Sequence, residues 1–360
     1  MEIPRTFDDI DSNWLTEALN TNLLRDGVYV KSHSIEPVGI GKGFMNQIAR
    51  YRLNYNKNFD ELPDTVIIKL PSREGGLMNI TRKLGDNIRE ILFYESVAPL
   101  SNIKAPNNYY SSVDWGTSDS VLILEDLSNL THGDSVKGCS LSQIQEAVRT
   151  IAKFQAKWWN SQQLDQVFSW MPSKLEESDI YQELYAESWK MFGNKAQGLM
   201  PTSLKDIGSR VEYHIANIKS KLTASPTTIN HGDYRLDNCF IDTEARDQIT
   251  VFDWEFCVKG RGTYDVATFL CEALTPYQRS NQERELIRIY HSTLLENNIT
   301  DYPFADCFID YRLSMLEIFV FWVIVGAQCD FEGVRERRYL INSVNRLDAA
   351  IKSLKCSEFI

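Results

Sequence analysis

Two short polar loops, each closing an apolar run, constrain this chain more than any other feature. Residues 229–256 read Ile229-Asn-His231-Gly232-Asp233-Tyr-Arg235-Leu-Asp237-Asn238-Cys-Phe, then a polar turn, then Ile249-Thr-Val-Phe-Asp253-Trp-Glu255-Phe. Asp233 and Asn238 share one loop, and Asp253 follows an apolar strand that a hairpin turn would bring back alongside. An acid to accept a hydroxyl proton, with an amide and a second acid to hold Mg²⁺, is what phosphoryl transfer from ATP requires. Asp and Asn also favour turns for local hydrogen-bonding reasons, so each residue alone fits an ordinary strand connection. The whole set has fixed identities in a fixed order. A chance match in a chain of this length is on the order of one in a thousand.

The first loop, His231 to Asn238, and a following Gly260-Arg-Gly262-Thr-Tyr-Asp265-Val-Ala267 segment carry a family resemblance. The chain resembles the aminoglycoside phosphotransferase and choline kinase-like superfamily over about residues 35 to 330, with an ecdysteroid-kinase-like branch among the candidates. The resemblance is specific at these two motifs and looser elsewhere. It implies an α+β, protein-kinase-like two-lobed fold, with a small β-rich N-lobe and a large, mainly helical C-lobe. It also implies a kinase that moves the γ-phosphate of ATP, or GTP, to a hydroxyl of a small-molecule acceptor. Residues 1–126 are expected to form the nucleotide-binding lobe, a five-stranded antiparallel sheet plus a helix. Residues 127–360 are expected to form the lobe with the catalytic loop and substrate-binding helices.

Upstream of the loop the residues run in an order that suits this reading. Gly41-Lys-Gly43-Phe44 leads into Gln47–Leu53, which alternates with period two like a half-buried strand. After a polar tip at 54–64 comes Thr65-Val-Ile-Ile-Lys69-Leu. Glycines let backbone approach phosphates closely, and a lysine supplies a point charge for the α/β oxygens. Residues 81–100 have helical period, with Ile88, Ile91, Leu92 and Val97 as an apolar stripe. A kinase-like site needs a glutamate here to fix the lysine. Glu90 and Glu95 are the candidates; they point to different faces, and the spacing of the resemblance favours Glu90. The stretch Pro71 to Asn79 is longer than the connection requires and reads as a loop over the site. Val121-Leu-Ile-Leu-Glu125-Asp126-Leu127 is an apolar strand ending in two acids. In the resembled family this is the hinge, where backbone groups about Glu125 and Leu127 meet the adenine edge. Asp126 is expected to cap or pin a neighbouring segment instead.

Farther along, Ser140 or Ser142 would cap a helix with Ile144, Val148, Ile151, Ala152, Gln155 and Trp159 as its buried stripe. Members of the resembled family commonly carry histidine where Gln155 stands, a departure that touches packing or a hydrogen bond. Trp158, Trp159, Trp170, Tyr181, Tyr185 and Trp189 form either an acceptor pocket or, as aromatics at helical spacing usually do, core. In the resembled family, inserted helices in the place of residues 171–225 shape the acceptor site. Helices are expected at 266–275, 280–297, 304–328 and 331–355.

Asp233 is the expected catalytic base. A carboxylate is ionised at neutral pH, so it works by position more than by basicity. Asn238 and Asp253 are the expected Mg²⁺ ligands, and Arg235 the residue to neutralise phosphate, bind the acceptor, or pair with Asp237 or Glu255. His231 reads as a brace and Asp265 as a carboxylate that accepts backbone hydrogen bonds from the catalytic loop. Net charge is −11, which argues against a nucleic-acid partner. The apolar run Ile318 to Ala327 is too short to span a bilayer. Seven scattered cysteines without a CxxC pair, and no apolar leader, point to a cytoplasmic chain with reduced thiols. The complete Lys69/Asp233/Asn238/Asp253 set argues against a nucleotide-binding pseudokinase or regulator. The lack of Asp-Phe-Gly and Ala-Pro-Glu segments argues against a protein kinase.

Overall fold

The computed structural model describes residues 1–38, 46–57, 59–72 and 86–360. Gly41, Gly43 and Phe44 lie outside them, as does most of the Pro71–Asn79 stretch. The chain divides into two compact units. One holds Met1–Pro99 and Ala105–Asn129, the other Leu100–Lys104 and Leu130–Ile360. The short 100–104 stretch belongs to the second unit because Lys104 bridges Thr250 and its carbonyl accepts the Val251 N–H at 2.8 Å.

The first unit is built on an antiparallel sheet of order β1-β2-β3-β5-β4, with β1 Val30–Pro37, β2 Asn46–Tyr55, β3 Thr65–Pro71, β4 Asn108–Val113 and β5 Ser120–Glu125. Side chains alternate across a strand, so β3 has two distinct faces. Val66, Ile68 and Leu70 join Ala49, Tyr51, Leu53, Val121 and Ile123 in one apolar layer. Ile10, Leu15, Ala18 and Leu19 cover that layer. The last three belong to the helix Ser12–Leu19, which Asp11 caps by accepting the Asn13 and Trp14 N–H groups at 2.9 and 2.7 Å. Lys69, one residue out of phase, faces the other way. On that side, the helix Asp86–Leu92 packs against β4 and β5 and continues through a π-helical turn, Phe93–Val97. Ile91 and Val97 are buried as the spacing predicted. Ile88 and Leu92 are only half-buried, because the helix turns Arg89 and Glu90 inward instead.

The second unit is mainly helical around two small β elements. Strands β6 Thr131–His132, β8 Cys239–Asp242 and β9 Gln248–Val251 form one sheet; β7 Thr228–Asn230 and β10 Val258–Gly260 form the other. Ser140 caps the helix Leu141–Trp158 through a capping box with Gln143, and Ile144, Val148, Ile151, Ala152 and Gln155 are buried along it. Ser140→Ala should therefore cost about 1 kcal/mol of stability, read as a lower midpoint in chemical denaturation. The helices Ser178–Lys195 and Ile215–Thr223 pack with Thr263–Ala273 around Phe304–Gln328, which is apolar on nearly all sides because it is the central helix of this unit. Pro276–Glu296 and Val334–Ser353 complete the helical layer. Among the described residues no helix is long and apolar enough to cross a membrane. The fold class is α+β, as the sequence predicted.

Of the aromatic group of residues 158–189, Trp158, Tyr181 and Tyr185 are buried in the core, while Trp159, Trp170 and Trp189 are half-buried. Trp158 packs edge-on to Phe168, Trp159 meets Tyr302, and Tyr185 stacks on Trp189 while its hydroxyl donates to the Gly208 carbonyl at 2.8 Å. Tyr181 lies under the Lys219 ammonium, 3.5 Å from the ring centre. Lys219 and Lys174 both bond the same buried Glu317 oxygen, at 3.0 and 3.1 Å, within this core.

Candidate active site

Strand β7 leads straight into His231, and β10 pairs antiparallel with β7, so the chain that leaves the loop returns beside its start. Gly232 has φ +88°, and a Cβ there would collide with the Phe256 carbonyl oxygen. Only glycine meets both demands. After a 3₁₀ turn, Leu236–Asn238, strand β8 begins and pairs with β9 in the register Cys239↔Val251 to Asp242↔Gln248. The expected hairpin is present. It ends with the Phe252 N–H on the Asn238 carbonyl at 3.1 Å, which sets Asp253 one residue from Asn238's backbone partner. Asp253 itself adopts a left-handed conformation, φ +67°, a region that Asp tolerates better than most residues.

Asp233 is fixed through one oxygen. Its Oδ2 accepts Arg235 Nε and Asn238 Nδ2, both at 2.9 Å. The Asn238 amide also donates to the Asp233 carbonyl at 2.9 Å. Both amide bonds therefore run toward Asp233, and the amide carbonyl oxygen is the atom left for a hard cation. The oxygens of Asn238 and Asp253 are a donor set suited to Mg²⁺. Arg235 also approaches Asp237, Nη1 to Oδ2 at 3.5 Å, so of the partners foreseen for it Asp237 is used and Asp233 is added. Burial opposes the Arg235 charge, yet Asp233, Tyr339 and Asp237 outweigh it and hold the guanidinium firmly protonated. Burial also works against the Asp237 charge; Arg235 and Ser135 overcome it and keep this carboxyl below the usual range.

His231 is a brace, fully buried, with its ring centre 4.4 Å from that of Trp254. Nε2 meets the Phe252 carbonyl at 2.9 Å, and Nδ1 accepts the Asp233 N–H at 3.2 Å. That pattern requires the neutral ring with its proton on Nε2. Burial accordingly lowers its pKa. Asp265 collects the loop's backbone: Oδ2 accepts His231 N–H at 2.8 Å and Oδ1 accepts Gly232 N–H at 3.0 Å. Gln155 Nε2 adds a third donor at 3.0 Å and also donates to the Gly262 carbonyl at 3.0 Å, while Gln155 Oε1 accepts the Tyr290 hydroxyl at 2.7 Å. Burial pushes the Asp265 carboxyl up to about 7, against these donors.

In the first unit, Lys69 Nζ lies 2.6 Å from Glu90 Oε2, and both side chains are buried. Glu95 instead accepts the Ser111 hydroxyl at 2.8 Å. Glu125 holds Asn107 through its backbone N–H at 3.1 Å and side-chain amide at 2.8 Å, and Leu127 is buried. Asp126 pins β2 by accepting Arg50 Nε at 2.6 Å and Nη2 at 3.3 Å.

Several residues of the site were not foreseen. Asp134 and Ser135 sit in a turn after β6, where Asp134 Oδ1 accepts the Val136 N–H at 2.9 Å. The Ser135 N–H donates to Asp237 at 3.1 Å. Arg335, from the helix Val334–Ser353, reaches both Asp237 and Asp134. A local Asx turn and one arginine among several give no signal of this in sequence.

An α+β fold of two units, the second of which carries such a loop, is kinase-like, and comparison with known proteins agrees. The ecdysteroid kinase-like family model matches residues 40–301, and the chain belongs to that family. It is 23% identical over 296 residues to an uncharacterized kinase-like protein of Caenorhabditis elegans, covering 76% of each chain. A choline kinase of Cryptosporidium parvum Iowa II shares its fold at a TM-score of 0.57 with 13% identity, over 91% of each chain. The choline kinase LicA of Streptococcus pneumoniae does so at 0.52 with 15% identity, over 89% of this chain and 93% of its own.

Proposed function

We propose that this protein is a small-molecule kinase that transfers the γ-phosphate of ATP, or GTP, to a hydroxyl of its acceptor. The observation that carries the reading is the fixed Asp233 carboxylate, clamped at one oxygen by Arg235 and Asn238. Its second oxygen takes the acceptor proton as the hydroxyl oxygen attacks γ-phosphorus and the bridging P–O bond to the β-phosphate breaks. Asn238 and Asp253 would hold Mg²⁺, which supplies positive charge to the phosphate oxygens. Lys69, oriented by Glu90, would bind the α/β-phosphates. Glu125 and Leu127 would present backbone groups to the base. Arg235 keeps Asp233 in place and neutralises charge beside it. Membership of a kinase-like family and the kinase-like fold support the class; the acceptor is a small molecule on the same grounds.

The test is phosphate transfer from γ-labelled ATP and GTP to a panel of alcohols, amino alcohols, sugars and sterols. Labelled product should form with Mg²⁺ present and disappear when the metal is chelated. Absence of both transfer and Mg²⁺-dependent nucleotide hydrolysis across the panel would leave the pseudokinase reading in its place.

A further inference from the structure

We propose that Asp237 and Arg335 are positioning residues that hold Arg235 against Asp233. The inference rests on the kinase reading above. The side chains form a ladder of alternating charge. Asp233 Oδ2 takes Arg235 Nε at 2.9 Å, and Arg235 Nη1 lies 3.5 Å from Asp237 Oδ2. Asp237 Oδ1 takes Arg335 Nη2 at 3.1 Å, and the same nitrogen lies 3.3 Å from Asp134 Oδ1. The Ser135 N–H donates to Asp237 Oδ2 at 3.1 Å, so Asp237 cannot swing toward either arginine without losing a bond.

Arg335 stands where its own helix disfavours it. It lies in the first turn of Val334–Ser353, where the helix dipole opposes a cation. Asp134 and Asp237 compensate, and Arg335 in turn holds Asp237 at a fixed distance from Arg235. Without Arg335, Asp237 has only Arg235 as a cationic partner among these contacts. It then competes with Asp233 for that guanidinium, and the clamp on the catalytic carboxylate loosens. Only one nitrogen of Arg335 makes both contacts. A lysine ammonium at this position can do the same, since neither contact uses the planar fork.

Phosphate release from Mg-ATP, with water as acceptor, tests this in the full-length protein. Arg335→Ala and Asp237→Asn should each lower kcat about tenfold with the KM for Mg-ATP within about twofold of wild type. The double variant should be no slower than either single one, because both act through one contact. Arg335→Lys should recover most of the rate, and amide exchange across residues 233–238 should rise in Arg335→Ala but not in Arg335→Lys. Unchanged kcat in Arg335→Ala, or losses that multiply in the double variant, overturns the ladder. Asp233→Ala in the same assay separates the two levels. If it removes activity while Arg335→Ala does not, the ladder alone is wrong. If Asp233→Ala leaves activity intact, the kinase reading is wrong.

Discussion

Asp233→Asn should lower turnover by about 10²–10⁴-fold, the usual worth of a positioned general base, while nucleotide binding and folding are retained. The substitution isolates the proton-accepting role because the clamp survives it. An asparagine carbonyl at the Oδ2 position still accepts both Arg235 Nε and Asn238 Nδ2, which now meet there at 2.9 Å. The new NH₂ then takes the place of the second carboxylate oxygen, the one proposed to take the acceptor proton, and it has no lone pair to do so. A thousandfold loss corresponds to about 4 kcal/mol of transition-state stabilisation. Asp233→Ala should lose at least as much, and it also leaves Arg235 without its nearest carboxylate, so the asparagine variant is the cleaner one. Single-turnover kinetics with labelled ATP, alongside nucleotide titration, read the two effects apart. Near-wild-type turnover in Asp233→Asn would sink the assigned role.

The geometry of the loop was legible because its polar residues lie close together in the chain. Asp233, Arg235 and Asn238 fall within one turn, and the hairpin that returns Asp253 is a local structure with its own sequence signals. Lys69 was legible from order along the chain, a glycine-bearing segment, then a strand ending in lysine, then a helix, then the loop; its strand sets it on the face opposite Val66, Ile68 and Leu70. Helical period alone left its partner a choice between Glu90 and Glu95, because it does not say which face meets the sheet; the spacing of the resemblance is what favoured Glu90. What the sequence hid is what joins distant segments. Gln155 reads as a stripe position whose departure from the family's histidine touches packing or a hydrogen bond, but nothing in the sequence names its partners Asp265, Gly262 and Tyr290. Arg335 reads as a surface cation in a basic turn, and its partners Asp134 and Asp237 are roughly two hundred and one hundred residues away. The ion group of Lys174, Lys219 and Glu317 was invisible for the same reason, since each residue alone reads as solvated. Polar partners of this kind leave no periodicity, and pairing rules for charges carry no sequence distance.

Asp265→Asn should be the most damaging change outside the proposed chemistry. Burial pushes this carboxyl up to about 7, so wild-type stability itself falls as pH rises through 7; wild type and variant should be compared at one pH above it, where the contest is carboxylate against amide. Every polar group that meets Asp265 in its pocket is a donor: His231 N–H, Gly232 N–H and Gln155 Nε2. An amide can supply an acceptor to one side only. If its oxygen takes the Oδ2 place, its NH₂ points at the Gly232 N–H; if it flips, the NH₂ meets two donors. Gly232 cannot yield to relieve this, since its φ of +88° and its contact with Phe256 fix the backbone there. Leaving a buried N–H without an acceptor costs about 1–3 kcal/mol. The melting temperature should fall by about 2–12 °C for a unit of this size. Activity should fall further than stability alone accounts for, because His231 N–H and Asp233 N–H sit on the same short path. A shift of about 1 Å in Asp233 is worth on the order of 10²-fold in rate. Thermal melts and turnover of the folded variant decide it: an Asp265→Asn protein as stable and as fast as wild type would mean that the loop is held by something other than this carboxylate.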